Sequence, residues 1–385
     1  MPDITQFSQL VHRRSIRDLE QDFQNKLKSP NLLIDVHTHL FTIDDVPRDY
    51  LGLRMDIPAE FLQTIQAILD NTPGANVFIP SKYRRLLDNM LSTPEQLRDK
   101  LTRAYSGYEA ILVVLMMDMR SLGRLNRHTL DQQINVLESL MVSHPGTLLP
   151  FLAVDPNQPD FIEHFKQLFA RENRVFHGVK LYPSLGYLPS HPNLMNIYGL
   201  CEDKQIPITT HCSSALVNLR KRALDIEGID RNGTSFKRRV KLPSRYSYKH
   251  YFNAPSKWIP VLKRFPSLKL NLAHFGGAKA WEEYGKGSNG TREGRWINTI
   301  LSFLNTYRNV YSDFSYTMYD NSATELLLQG LDNGWIPEEK VLYGSDFFLI
   351  ENEGTQKVLF DRFRSKIGEV RFSQMSKDNN MRFLF

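Results

Sequence analysis

Two histidines and an aspartate alternate along one short apolar stretch of the sequence. The stretch LLIDVHTHLF, residues 32–41, begins like a buried strand and then carries Asp35, His37 and His39 at every second position. Because alternate side chains of a β-strand point to the same face, the three groups are predicted to share one face. Imidazoles and carboxylates are ligands of divalent cations, so this strand end is a candidate metal site. A hydrogen-bonded core position explains a histidine pair equally well, so the rest of the sequence must decide.

Similar apolar runs that end in a polar residue recur along the chain. The eight runs are LLIDVH (32–37), ILVVLMMD (111–118), LLPFLAVD (148–155), GVKLYP (178–183), PITTH (207–211), LKLNLAH (268–274), NVYSDF (309–314) and VLYGSD (341–346). Their richness in Val, Ile and Leu is typical of strands that are covered on both faces.

Segments of helical pattern separate these runs, among them 131–144, 159–173, 255–265 and 321–334. Alternating strands and helices predict a parallel sheet. Eight units fit a (β/α)₈ TIM barrel better than an open doubly wound sheet. An open sheet usually carries a glycine-rich loop after its first strand, whereas HTHLFTIDD follows the first run here.

One barrel domain accounts for residues 31–385, and residues 1–30 are predicted to form an N-terminal helical extension. Two connections are long, 41–107 after the first strand and 212–266 after the fifth. Both lie on the carboxyl side of the strands, where barrel active sites form, and both are predicted to act as lids.

Composition favours a cytoplasmic protein. The chain has 385 residues, 41% hydrophobic and 23% charged, which is ordinary for a globular protein. No apolar run has the length of a membrane span, the first residues lack the apolar core of a signal peptide, and two cysteines make no disulfide framework.

Positive charge is concentrated in the second long connection. Residues 212–266 carry thirteen Lys and Arg against three acidic residues, a net of +10, so the rest of the chain contributes −4 to the total of +6. A solvated loop, a mouth that attracts an anionic small molecule and a contact with a partner subunit all fit this pattern. No nucleic-acid-binding motif is found in the sequence.

In a barrel the ends of all eight strands meet at one rim. Six ionisable side chains would then converge, and burying them without a counter-charge is costly, so a divalent metal is expected among them. They are His37, His39, Lys180, His211, His274 and Asp346.

This ordered set resembles the amidohydrolase superfamily, and the resemblance covers nearly the whole chain from Leu32 onward. The stretches PSKWIPVLKRFPSLKLNLAHFGG (255–277), VLYGSDFF (341–348) and DNNMRFLF (378–385) resemble the amidohydrolase-related branch that includes metal-dependent decarboxylases.

The stretch GVKLYPSLGY around Lys180 is similar to dihydroorotase-like members, whose lysine carries a carbamate that bridges two metals. Near a cation the pKa of a lysine should fall, and a neutral amine can add CO₂. Alternatively Lys180 stays an ammonium group that pairs with Asp346 or with a substrate carboxylate.

The resemblance implies a hydrolase with one or two metal ions, most simply Zn²⁺, acting on a small anionic amide, ester or lactone. His37 and His39 would bind one ion, His211 and His274 a second, with Lys180 between them. Metal-bound water would be the nucleophile, and Asp346 would bind metal and move its proton.

Two other hypotheses stay open. A non-oxidative decarboxylase would use one metal, held by His37, His39, His211 and Asp346, with His274 as general acid or base. A barrel that binds a metal or ligand without catalysis is the third. Tyr182 and His191 are candidate substrate contacts, and a homo-oligomer is possible.

Overall fold

A computed structural model describes most of the chain, and the structural statements below concern those residues. They are 21–47, 81–123, 128–170, 175–214, 221, 223–242, 250–287 and 294–385. Of the predicted extension 1–30, residues 1–20 lie outside this part, and helix α1 (Gln21–Leu27) forms most of the remainder. Within the described ranges no helix has the length and apolar character needed to cross a membrane.

Eight parallel strands form one sheet in the order β1-β2-β3-β4-β5-β8-β9-β10, which confirms the predicted barrel. β6 and β7 pair with each other as an antiparallel hairpin within the second long connection. The strands are β1 (Leu32–Thr38), β2 (Glu109–Leu115), β3 (Leu148–Ala153), β4 (Gly178–Leu181), β5 (Ile208–His211), β6 (Ala223–Ile229), β7 (Ser235–Lys241), β8 (Leu270–Ala273), β9 (Val310–Asp313) and β10 (Val341–Leu342).

Amphipathic helices cover the outside of the sheet and bury their apolar faces against it. They are α2 (Ser81–Leu91), α3 (Pro94–Ala104), α4 (Leu130–Ser143), α5 (Phe161–Ala170), α6 (Pro192–Asp203), α7 (Ile259–Arg264), α8 (Ala278–Gly285), α9 (Gly294–Thr306), α10 (Asn321–Asp332), α11 (Gln356–Ile367) and α12 (Glu369–Ser373). Helix α13 (Asn380–Leu384) instead packs its Phe383 against Phe151 of β3 and Tyr311 of β9. A π-helix, Gln374–Asn379, joins α12 to α13.

The barrel closes where the chain after β10 meets β1. The amide of Asp346 donates to the carbonyl of His37 (2.7 Å), and the amide of His39 donates to the carbonyl of Phe347 (2.6 Å). Gly344 allows this approach, because a Cβ there would lie 2.7 Å from the Cβ of His37. The backbone that closes the barrel therefore also carries the candidate site.

The register of β1 changes within the stretch LLIDVHTHLF. The pairing of β1 with β2 shifts between Asp35 and Thr38. As a result Asp35 faces the helices, where its Oδ2 accepts a hydrogen bond from Tyr105 at the end of α3 (2.5 Å). The expectation that Asp35 shares the face of His37 is wrong, because the irregularity interrupts the alternation of side chains.

The C-terminal segment forms hydrogen bonds to β1 and to the chain after β10, which meet where the barrel closes. The Nδ2 group of Asn380 donates to the carbonyl of Ile34 on β1 (2.7 Å) and to that of Tyr343 after β10 (2.9 Å). The buried side-chain amide of Asn380 therefore links β1 to the chain that follows β10.

We predict that Asn380→Ala lowers the free energy of unfolding by about 2–3 kcal/mol, because two buried carbonyls each lose a donor. Asn305→Ala is the matched control: Asn305 is exposed on α9 and bonds within its own helix, so its loss should change stability by less than about 0.5 kcal/mol. Urea unfolding of both variants measures the difference, and equal stabilities would contradict the bridging role of Asn380.

Candidate metal centre and cavity

The carboxyl ends of the strands bring five predicted site residues and one unpredicted residue to the same rim, all of them buried. His37 belongs to β1 and His39 follows it; His211 ends β5, His274 follows β8, Asp313 ends β9 and Asp346 follows β10.

Hydrogen bonds fix the tautomers of the two histidines on β1. The Nδ1 atom of His39 lies 2.9 Å from the carbonyl oxygen of Leu115, which can only accept, so Nδ1 carries the proton. The Nδ1 atom of His37 lies 3.1 Å from the carboxylate of Asp313 and donates to it in the same way. Burial lowers the pKa of His37 to about 3, so the ring is neutral. Both Nε2 atoms therefore present lone pairs.

A carboxylate oxygen faces these lone pairs. Oδ1 of Asp346 lies 3.4 Å from Nε2 of His37 and 3.2 Å from Nε2 of His39. This oxygen is buried and accepts no hydrogen bond from the residues that the structure describes. Three electron-pair donors thus converge without a proton between them, an arrangement that a divalent cation satisfies.

Asp313 is a site residue that the sequence reasoning missed. Its Oδ2 accepts from His37 and from Nδ2 of Asn271 (2.6 Å), and its Oδ1 accepts from the backbone amides of His274 (2.9 Å) and Ser315 (3.1 Å) and from the Ser315 hydroxyl. The signal was available, since NVYSDF places an aspartate at a strand end as the other runs do.

His37, His274 and Asp313 form a second group with metal-ligand geometry. It is less suited to a cation, because Asp313 is already surrounded by donors. Asp313 is instead suited to orient the imidazole of His37.

His211 and His274 contact each other across the rim. Nδ1 of His274 faces the carbonyl oxygen of Ser315 (3.2 Å) and must be protonated, so its Nε2 accepts from Nδ1 of His211 (3.0 Å). The Nε2 atom of His211 then accepts from the hydroxyl of Ser213 (2.9 Å). Burial lowers the pKa of both histidines. His211 belongs to neither metal-binding group among the described residues, and its role as a ligand stays a prediction.

Lys180 is buried within β4, and its Nζ atom makes no hydrogen bond to the described residues. Burial lowers its pKa to about 8, although Asp346 and Asp313 attract the charged form. Its side chain borders a small void together with Met117 and Asp155 rather than lining the main cavity. The carbamate and a bridging position stay predictions.

A cavity of about 270 Å³ opens above the metal group. His39, His211, His274 and Asp346 reach it from below. Its walls are largely aromatic or thioether side chains: Phe41, Met117, Met119, Tyr182, Tyr316 and Tyr319.

The two predicted substrate contacts differ in position. The ring of Tyr182 lies on that of His211, with centroids 4.5 Å apart, and lines the cavity. His191 caps helix α6, its Nδ1 accepting from the amide of Asn193 (3.2 Å). In the described structure His191 is not among the cavity-lining residues.

The sequence model of the amidohydrolase family matches residues 34–383, and the chain belongs to this family. Several solved structures share the fold. A 5-carboxyvanillate decarboxylase from Novosphingobium aromaticivorans, solved with manganese, is 14% identical with a TM-score of 0.56, the match covering 93% of this chain and 97% of that one.

A 2,6-dihydroxybenzoate decarboxylase from Rhizobium is 14% identical with a TM-score of 0.51, over 92% of this chain and 98% of that one. The 5-carboxyvanillate decarboxylase of Sphingomonas paucimobilis is 13% identical with a TM-score of 0.51, over 92% and 99% of the two chains. No curated protein sequence matches the chain.

We predict that Asp313→Asn weakens metal binding about 10- to 100-fold, since partners that orient a ligating histidine typically contribute that much. The neighbours of Asp313 are donors, so the new amide NH₂ would face further donors. Asp155→Asn is the matched control, because Asp155 is a buried rim aspartate bonded to Ser121, Asn157 and Gln158 rather than to a histidine. Competition with a fluorescent chelator measures both affinities, and an unchanged affinity in Asp313→Asn would contradict its orienting role.

We also predict that the metal-free protein loses stability between pH 7 and pH 5. The pKa of His37 is lowered to about 3, so below pH 6.5 the unfolded chain binds a proton that the folded chain excludes. At pH 5 this costs about 2 kcal/mol, and His211 and His274, whose pKa values are also lowered, act in the same direction.

Asp35 opposes this trend, because burial raises its pKa to about 6 and so favours the folded state in acid by about 1 kcal/mol. The net effect should still be a loss at pH 5, and His211→Gln should reduce it. Urea unfolding of chelator-treated protein at both pH values is the measurement, and equal stability at the two would contradict neutral buried histidines.

Proposed function

We propose that this chain is a metal-dependent enzyme that removes the carboxyl group of a small aromatic acid as CO₂, without oxidation. The observation that carries the proposal is the convergence of His37, His39 and Asp346 on one point in the floor of an aromatic-walled cavity. The decarboxylases that share the fold support the choice of reaction.

The donor set fits one divalent cation. His37 and His39 would hold it through Nε2 and Asp346 through the buried Oδ1, with His211 as a fourth ligand if its contact with His274 is exchanged. Two imidazoles and a carboxylate suit Zn²⁺ or Mn²⁺. When bound, the cation would supply Lewis acidity that holds the substrate carboxylate and draws negative charge from it.

The cavity walls favour loss of the carboxyl group. A volume of about 270 Å³ accommodates a single substituted ring. Tyr182, Met117 and Phe41 line it, and a carboxylate is poorly solvated among such groups, whereas CO₂ is neutral.

The reaction needs one proton. When the bond between the ring and the carboxyl carbon breaks, its electron pair stays on the ring carbon, which then takes up a proton as CO₂ leaves. We assign this proton to His274, which lines the cavity and stands outside the group formed by His37, His39 and Asp346. The Nδ1–H group of His274 would stay on the carbonyl of Ser315. Its Nε2, once released from His211 by the exchange described above, would take a proton from water and pass it to the ring carbon.

We predict that the metal-loaded protein converts at least one member of a panel of hydroxylated benzoic acids into CO₂ and the parent phenol. In D₂O the product should carry one deuterium on the vacated ring carbon, visible by NMR. His274→Asn should lower kcat about 10²- to 10⁴-fold while metal content is kept, because positioned proton donors contribute that much. Asp155→Asn should leave the rate unchanged. Hydrolysis of esters, lactones or amides with no CO₂ release would overturn the proposal.

Hydrolysis with two metals is the second candidate function, and Lys180 is the observation that favours it. A buried amine whose Nζ lacks a hydrogen-bond partner in the described structure is suited to carbamate formation. NMR of protein incubated with ¹³C-labelled bicarbonate, together with metal analysis, separates the two. One metal per chain and no carbamate signal would support the decarboxylase.

A further inference from the structure

From the turn of the β6–β7 hairpin onward, a long stretch of the sequence contains no acidic residue. Residues 231–281 contain twelve Lys and Arg and not one Asp or Glu. The strands of the hairpin carry their acids on β6, so the position of each basic residue decides whether it can be neutralised.

One face of the hairpin is neutralised by cross-strand pairs. Asp225 lies opposite Arg239 and Glu227 lies opposite Lys237. Both pairs form, with N–O distances of 3.2 Å for Arg239 and 2.5 Å for Lys237. Because alternate residues of a strand point to opposite faces, these acids cannot serve the residue between the two cations, Arg238.

Aromatic rings, rather than acids, hold the cations of the other face. Arg238 donates to the Tyr251 hydroxyl (2.7 Å) and lies 5.0 Å from the Phe236 ring centroid. The Nζ atom of Lys257, just before α7, lies 4.0 Å from the Tyr251 ring centroid. Two cations from different elements thus meet at a single tyrosine.

These cations have no counter-ion in the described structure. Neither Arg238 nor Lys257 forms an ion pair there, and neither does Arg231 in the hairpin turn. The carboxylate of Asp230 accepts from the turn amides of Asn232 and Thr234. Burial, and then repulsion by the two arginines, lowers the pKa of Lys257 to about 8. Their mutual repulsion would be relieved by an anion.

We propose that Arg238 and Lys257, which meet at Tyr251, form a binding site for the phosphoryl group of a ligand, distinct from the metal centre. A dianionic phosphoryl group matches two unpaired cations better than a single carboxylate does, and the planar fork of arginine suits its oxygens. The described hairpin residues do not line the cavity, so the site is separate from it. The hairpin packs on the loop after β4, where the amide of Ile229 donates to the carbonyl of Ser190 (2.9 Å). The group could belong to a free phosphorylated molecule or to a lipid headgroup.

The test is a calorimetric titration of the metal-loaded full chain with inorganic phosphate at low ionic strength. We expect saturable binding that Arg238→Gln and Lys257→Gln each weaken at least 10-fold. Arg239→Gln is the matched control: it removes the same charge one residue away, from a cation that is already paired, and should change the affinity less than 2-fold. Asp346→Asn should retain phosphate binding, because this variant disrupts only the metal centre. Phosphate that bound at the metal centre would no longer bind to it. Circular dichroism checks that each variant is folded.

Sedimentation with phosphatidylcholine vesicles, with and without phosphatidic acid, distinguishes the two sources. If the protein binds phosphatidic acid vesicles and Lys257→Gln abolishes this binding, the site is assigned to a lipid headgroup. If the protein binds phosphate but not the vesicles, the site is assigned to a free phosphorylated molecule. The proposal is overturned if wild-type protein binds neither, if Arg239→Gln loses as much affinity as Arg238→Gln, or if Asp346→Asn abolishes binding.

Discussion

The junction of β1 with the chain after β10 is the contact on which both the barrel and its chemistry depend. The backbone bond from Asp346 to His37 closes the sheet, and the side chains of the same two residues approach within 3.4 Å. Folding therefore forces a carboxylate oxygen and two imidazole lone pairs together in a buried space. A cation compensates their repulsion, so metal binding should stabilise the closure of the barrel as well as create the reactive centre.

A network behind the metal group gives it a defined geometry. The protonated Nδ1 atom of His37 donates to Asp313, that of His39 donates to a backbone carbonyl, and that of His274 donates to the carbonyl of Ser315. Each acceptor removes one tautomer, so the Nε2 atoms of His37 and His39 are directed at the same point. Asp313, which does not line the cavity, is therefore expected to affect the affinity of the site for a metal.

Apolar and charged surfaces of the molecule are kept apart in a way that suits the proposed reaction. Inside the cavity, Tyr182, Met117 and Phe41 provide poor solvation for a carboxylate. Five of the thirteen basic residues of the second long connection lie on the hairpin, away from the cavity lining, and cross-strand acids neutralise two of them, Lys237 and Arg239. The proposed substrate cavity and the proposed anion site on the hairpin are therefore separate regions of this fold.

The sequence alone predicted the eight strands, the barrel and five of the six residues that meet at the rim, because apolar periodicity and strand-end positions are local signals, and its resemblance to other amidohydrolases indicated the family. Tertiary structure decided the rest. The register shift turned Asp35 away from His37, and Asp313 joined His37 from 276 positions along the chain. Lys180 came to lie beside the cavity instead of lining it, and Arg238 was separated from the acids that neutralise Arg239. Each of these outcomes depends on which distant strand or helix lies opposite a residue, and local sequence does not encode that contact.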